Sequence, residues 1–458
     1  MGGPVLADGG DDRLTSRPSE GRPTRARRRA LQVVRDVSRG RLLDRAAERR
    51  FRDLDARARA WALEAAYGTV RLRGRLDRRL RPFLRGRDLD PVVRDVLRLG
   101  AYQLTEMGGV PDYAAVSESV ELARSAGRGR AAGLVNAVLQ RVASAPAGPP
   151  EYSDPLREME EWGSHPRWLV DRWARRYGVA AAAALVAANN RRPELYIRLV
   201  GIERDAARGA LAAAGIEADP VDLDPRSLRL ERGADPAAAL DAVPAVVQDP
   251  AASAVARYAA FPPGAVVADL CAAPGGKSFA LLDLGAERVL AFDRSARRLA
   301  RLLDGAARLG LRGGALAASA RGALAAAVAD ATAPAVRPGR AVLVDAPCTG
   351  TGTLRRHPDG RWRLGPEDLA SLAALQARIL KAAAGAVGPG GLLVYATCSL
   401  EAEENEEQVE RFLADRPDFR LEPPDDPRWT AGPRPMLAVL PHVHGVDGAF
   451  AARMRRAV

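Results

Sequence analysis

The chain has 458 residues, a formal net charge of +12 and 47% apolar residues, enough for two or three domains with cores of their own. No apolar run reaches the ~18 residues of a membrane-spanning helix, and the polar stretch 1–20 lacks the apolar centre of a signal peptide. Three cysteines without a pairable spacing point to a reducing cytoplasm, and four scattered histidines with no C-x-x-C argue against a metal site.

Residues 1–24 read as a disordered lead-in. Between 21 and 50, eleven arginines face only Asp36, Asp44 and Glu48, a density that suits a polyanion such as RNA and equally a solvated helix face. From 25 to 145 the apolar spacing is helical throughout, as in Leu31-Val33-Val34-Val37 and Val92-Val93-Val96-Leu97-Leu99-Tyr102, and predicts a small helical bundle. Residues 146–160 open on Pro and Gly and read as a linker. Residues 161–247 pass from helical patterning around Trp168 and Trp173 to short strand-like runs (195–200) with a helix at 203–214, the pattern of a small α+β module. The last part, 248–458, alternates strands at 265–270, 288–292, 340–344 and 391–396 with amphipathic helices, the pattern of an open α/β sheet. The stretch 313–327, nearly all Ala, Gly, Leu and Arg, reads as an insertion.

The chemistry concentrates in this last part. Asp269-Leu270-Cys271-Ala272-Ala273-Pro274-Gly275-Gly276-Lys277 follows a strand and opens a helix. Its small residues allow close approach of a ligand, and a helix N-terminus favours a carboxylate. Only two of the 69 basic residues are lysines, Lys277 and Lys381, so a lysine at this turn suggests a site that needs a compact ammonium. Asp293 ends the next strand, where an acidic residue can hold a ribose or cap a helix. Asp345-Ala346-Pro347-Cys348 and Thr397-Cys398-Ser399 end two further strands. In an open α/β sheet such ends face one crevice, so the two thiols can converge there. A free cysteine often only fills space. Two of them behind strands, beside a cofactor turn, point to covalent attack on an electron-poor ring.

These motifs, with Arg355-Arg356-His357-Pro358-Asp359, Glu403-Glu404-Asn405 and Asp447-Gly448-Ala449-Phe450, resemble the S-adenosylmethionine-dependent RNA (cytosine-5)-methyltransferases. The helical first domain resembles the NusB-like RNA-binding fold, and the fusion is similar to the bacterial RsmB/Sun enzymes that modify 16S ribosomal RNA. The resemblance implies a Rossmann-like methyltransferase domain preceded by a NusB-like bundle and a small α+β module. It implies that Cys398 attacks C6 of the cytosine, that Cys348 assists loss of the C5 proton, and that Asp345 holds the N3/N4 edge beside the cofactor. Cys271, Ala272, Ala273, Pro274, Gly275, Gly276 and Lys277 would carry the methionine end of S-adenosyl-L-methionine, Asp293 its ribose and Asp330 its adenine edge. The family's adenine-side Asp usually lies nearer to Asp293, so Asp330 depends on treating 313–327 as an insertion. In DNA cytosine-5 enzymes a Pro-Cys is the nucleophile, which would exchange the two thiols; Thr397-Cys398 favours the RNA assignment. The expected partner is 16S rRNA, naked or in an early assembly intermediate, acted on by a cytoplasmic monomer without metal or membrane. The alternatives are the same chemistry on tRNA, and a catalytically silent RNA-binding assembly or antitermination factor.

Overall fold

The computed structural model describes residues 24–84, 86, 88–146, 148–311, 323–426 and 435–458. All but the last residue of the lead-in read over 1–24 lies outside these. Contacts divide the chain into two compact units, one formed by the chain up to Thr69 with Leu76–Gly148, the other by Val70–Arg75 with Pro149–Val458.

The first unit is helical: α1 (Arg25–Ser38), α2 (Leu43–Arg50), most of α3 (Ala56–Arg71) and α4 (Arg73–Leu84), α5 (Pro91–Thr105), α6 (Asp112–Ser125) and α7 (Ala132–Ala143). Asp90 starts α5 by accepting the Val92 N–H at 2.8 Å, with Pro91 in the first turn, where its missing N–H costs nothing. α5 is buried on nearly every side, as a central bundle helix must be. At Gly100 a Cβ would lie 2.6 Å from Leu139 Cδ1 and 2.7 Å from Ser119 Oγ, so glycine permits the close approach of α6 and α7. Much of the arginine-rich charge is neutralised locally. Asp53 pairs with Arg25 and Arg29, while buried Asp36 takes Arg49 at 2.7 Å and Arg50 at 2.9 Å.

The second unit begins, after residues 70–75, with α8 (Pro155–Glu161), α9 (Arg167–Tyr177) and α10 (Val179–Asn190). Their apolar faces, including Leu169, Trp173 and Leu185, share a core with Leu354 and Leu400, a partnership that no local pattern announces. Next comes an antiparallel sheet in the order β2-β3-β1-β4, built from β1 (Leu195–Leu199), β2 (Ala218–Pro220), β3 (Ser227–Leu230) and β4 (Ala245–Val247), with α11 (Arg204–Ala213) and α12 (Pro236–Ala242). Ile197, Leu199, Leu211 and Leu228 form its core.

The large sheet follows α13 (Pro250–Ala259). Its first elements are β5 (Val266–Asp269), α14 (Gly276–Asp283), β6 (Arg288–Asp293), α15 (Ala296–Arg308) and β7 (Ala323–Val328). They continue with β8 (Gly339–Asp345), α16 (Gly360–Arg363), α17 (Pro366–Gly385), β9 (Val387–Thr397), α18 (Glu406–Asp415) and β10 (Phe419–Leu421), and end with β11 (Leu437–Val439), α19 (Pro441–His444) and β12 (Ala449–Arg456). The order β10-β12-β9-β8-β5-β6-β7 is parallel from β9 to β7, with β12 added antiparallel to β9. Successive residues serve opposite faces: Val267 and Leu343 join one core with Phe279 and Leu302, while Ala268, Val342 and Val344 join another with Ile379 and Val409. Helices therefore cover both faces, and the strands read as continuous apolar runs. The chain reverses its direction of strand addition between β5 and β8, which places a crevice at their carboxyl ends.

The reading of 313–327 as an insertion needs correction. Residues 323–327 belong to β7, which pairs with β6 from Arg288↔Ala323 to Asp293↔Val328; residues 312–322 lie outside the described ones. Ala-Leu-Ala-Ala-Ala-Val has helix-forming composition and one β-branched residue, and it is the ladder supplied by β6 that makes it a strand.

Candidate active site

β8 and β9 run side by side, with Asp345 opposite Ala396. The loops that leave them carry Cys348 and Cys398, whose sulfurs approach to 3.4 Å. Tight backbone packing closes the site. The Gly352 N–H donates to the Cys398 carbonyl at 3.0 Å and the Gly448 N–H to the Gly352 carbonyl at 2.8 Å. A Cβ at Gly352 would lie 2.7 Å from that first carbonyl oxygen, so only glycine fits. Arg356 ties the same region together, binding Asp447 at 2.7 Å and also Asp249. Four separated motifs of the sequence thus meet here.

The two thiols are electrostatically unequal. The hydrogen bond from Cys348 lowers the Cys398 thiol below the ordinary cysteine value; burial and Asp345 oppose this, while Lys277 and His357 assist it. The same hydrogen bond, with burial and the charges of Cys398 and Glu404, holds Cys348 well above its ordinary value. Cys398 is thus the group poised to be a thiolate, the reactive form. Cys271 is different: burial, with Asp269, Asp345 and Asp293 adding to it, pushes its thiol far up, and its side chain packs against the core that holds Phe292 and Val342. Asp345 accepts from Lys277 Nζ at 2.7 Å. Burial opposes the ammonium's charge, but Asp345, with Cys398 and Asp269 adding to it, raises Lys277.

The 271–277 turn leads from β5 into α14, with Gly275 at φ +111 as a cap that has no side-chain acceptor. A Cβ on Gly275 would lie 2.7 Å from the Phe279 ring, and one on Gly276 would lie 2.7 Å from Gln248 Nε2. This is a cradle of small residues at a helix N-terminus that no side chain caps, and it fits a ligand carboxylate. Asp293, buried at the end of β6, accepts the Ser295 N–H at 2.8 Å and lies 3.3 Å from Arg298 Nη1. Ser295 is the side chain that caps α15, accepting from the Arg298 N–H, so Asp293 is not that cap. Asp330 follows β7, exposed, with Oδ1 accepting the Thr332 N–H at 2.8 Å and the Thr332 hydroxyl at 2.7 Å. Beyond the residues named from sequence, the structure adds Gln248 beside the cradle and Asp269 beneath it, where Ser278 Oγ donates to Oδ2 at 2.7 Å. Asp269 was visible as the first residue of its motif; Gln248 carried no local signal. Among the described residues no group of His, Cys, Asp and Glu gathers as a metal site, and no helix is long and apolar enough to cross a membrane.

Family models match in three segments: NusB family over 24–144, a Methyltr_RsmF/B-like ferredoxin-like domain over 165–236, and 16S rRNA methyltransferase RsmB/F over 260–455. The ribosomal RNA small subunit methyltransferase B of Thermus thermophilus is 37% identical over 436 residues, covering 93% of this chain and 96% of that protein. The chain belongs to the RsmB/F methyltransferase family. The protein of the same name from Sodalis glossinidius is 36% identical, covering 88% of this chain and 90% of that protein. The crystal structure of PH0851 matches with a TM-score of 0.77 at 25% identity, covering 95% of this chain and 99% of that one. S-adenosyl-L-methionine is the cofactor of this methyltransferase, and the uncapped α14 terminus with its crowded glycines fits the amino-acid end of that molecule.

Proposed function

We propose that the protein methylates C5 of a cytosine in 16S rRNA through a covalent adduct between Cys398 and C6. The observation that carries this reading is the contact of the two sulfurs at 3.4 Å, at the ends of adjacent parallel strands. The Cys398 thiolate adds to C6, forming a C–S bond and leaving C5 electron-rich. Residues 271–277 would hold S-adenosyl-L-methionine, with Asp293 toward its ribose and Asp330 toward its adenine edge; its methyl group would pass to C5, with S-adenosyl-L-homocysteine as the leaving group. Asp345, steadied by Lys277, holds the N3/N4 edge of the base. Adduct formation removes negative charge from the Cys398 sulfur, and with it one cause of the raised Cys348 thiol. Cys348 is then easier to deprotonate; once its own proton has passed to solvent, its thiolate takes the C5 proton, after which the C–S bond breaks and returns the Cys398 thiolate. C5 is out of reach in a stacked duplex, so the target nucleotide is unpaired or flipped.

The test is methyl transfer from labelled S-adenosyl-L-methionine to naked 16S rRNA. Wild type yields labelled 5-methylcytosine, and Cys398→Ala lowers the rate by roughly 10³-fold or more. Cys348→Ala accumulates an RNA-linked protein band that survives denaturation, because the adduct forms but does not resolve. Transfer to tRNA alone would change the substrate and keep the chemistry. No transfer to either RNA would leave a silent RNA-binding factor as the reading to pursue.

A further inference from the structure

Two consecutive buried side chains reach both thiol-bearing loops. Glu404, fully buried, accepts the Thr349 N–H at 2.9 Å, the Thr349 hydroxyl, and Gln376 Nε2 at 2.8 Å. Thr349 directly follows Cys348, and the same Gln376 amide donates to the Pro347 carbonyl at 2.9 Å, on the other side of Cys348. Asn405 performs the matching task at the second loop. Its Oδ1 accepts from the Thr397 hydroxyl and its Nδ2 donates to the Ser399 carbonyl at 2.9 Å, so it grips both neighbours of Cys398. The Thr349 and Ser399 hydroxyls meet at 3.2 Å between the loops. The Tyr395 hydroxyl, on β9, donates to the Glu404 carbonyl at 2.7 Å and anchors the pair to the sheet.

We propose that Glu404 and Asn405 are positioning residues, a clamp that holds the Cys348 loop against the Cys398 turn and so fixes the contact between the two sulfurs. Both side chains are buried. The consequence for methyl transfer rests on the reading given above; the clamp itself stands on geometry alone. The groups that face Cys398 are Cys348, Asp345, Lys277 and His357, and Glu404 faces Cys348. Of these only the Cys348 contact depends on the clamp, because Asp345, Lys277 and His357 are held by other elements. A charge-assisted hydrogen bond between sulfurs fades steeply as they separate, so loosening the clamp should return Cys398 towards an ordinary thiol.

The experiment is the pH profile of Cys398 alkylation by iodoacetamide, read by peptide mass on the full chain without RNA. Wild type should show a midpoint below that of a free thiol. Glu404→Ala and Asn405→Ala should shift the midpoint up by about one pH unit, which slows alkylation at neutral pH by roughly tenfold, with S-adenosyl-L-methionine binding retained. Glu404→Gln keeps the shape and an acceptor for Thr349, and should restore most of the wild-type profile. Where Glu404→Ala fails to fold, Thr349→Val removes the hydroxyl's contacts with Glu404 and Ser399 at nearly the same shape and keeps the Thr349 N–H bond, and decides the matter by the same readout. An unmoved midpoint in a folded clamp variant overturns the proposal. If wild type methylates no RNA while the midpoint still moves, the methylation reading fails and the clamp survives.

Discussion

Asp269 ends β5 beneath the cofactor turn, fully buried, with one oxygen held by Ser278. Burial pushes its carboxyl up to about 7, and Asp345 adds to the effect while Ser278, Lys277 and the Cys271 N–H oppose it. An unfolded Asp titrates near ~4, so between about pH 4 and about pH 7 the folded state binds a proton that the unfolded chain does not. Stability is then full below the unfolded value and declines as pH rises through 7, by a few kcal/mol in total. Asp269→Asn cannot lose that proton and keeps a partner for Ser278. The stability of wild type relative to Asp269→Asn should therefore fall between about pH 5 and about pH 8, as denaturant unfolding at the two values would show. A constant difference would mean that the carboxyl is solvated in the native state. The site was legible in part for a physical reason. Cys348, Cys398, Lys277 and Asp345 stand in turns that punctuate strands, and strand ends of a parallel sheet share one crevice. The partners of Glu404 lie 55 residues away at Thr349 and 28 away at Gln376, and nothing in local sequence pairs them.

At the scale of elements, the arginine-rich α1 and α2 show how a charge count overstates a surface. Arg25, Arg29, Arg49 and Arg50 are committed to Asp53 and Asp36, whereas Arg28, Arg39 and Arg45 are exposed. RNA phosphates would be met by the second group. Replacing Arg28, Arg39 and Arg45 together with Ala should weaken RNA binding and reduce the slope of log affinity against log salt by up to about one per lost contact. Folding should be little changed. Arg50→Ala should do the reverse, lowering the melting temperature by stripping buried Asp36 of a partner while leaving the salt slope nearly intact. Equal slopes in wild type and the triple variant would place the RNA-binding surface elsewhere. Helices were the legible elements here because their apolar spacing is local. β7 was not, since its alanines carry no β signal and its identity comes from β6.

At the scale of the whole molecule, the alternation of strand and helix in the last part of the chain is readable from sequence, but not what fastens the small sheet to the large one. Arg198 of β1 is buried, and its guanidinium lies 3.0 Å from Asp283 at the end of α14. The Gly201 N–H donates to the other Asp283 oxygen at 2.8 Å, and Arg226 stands 3.3 Å from the pair. A carboxylate at a helix C-terminus opposes the helix dipole, so Asp283 depends on these cations, and Arg198 depends on Asp283 in return: burial lowers its guanidinium and Asp283 is the main opposing attraction. Removing one partner leaves a buried charge uncompensated, whereas replacing both with apolar residues of similar size need not destabilise. Asp283→Ala should accordingly cost about 3–5 kcal/mol, seen as a drop in the melting transition of this unit, while Arg198→Met with Asp283→Leu recovers most of it. Because α14 carries the cofactor turn at its other end, the single variant should also weaken S-adenosyl-L-methionine binding, and the double variant should restore it. If the single variant melts like wild type, the pair is solvated and the two sheets are held by apolar contact alone.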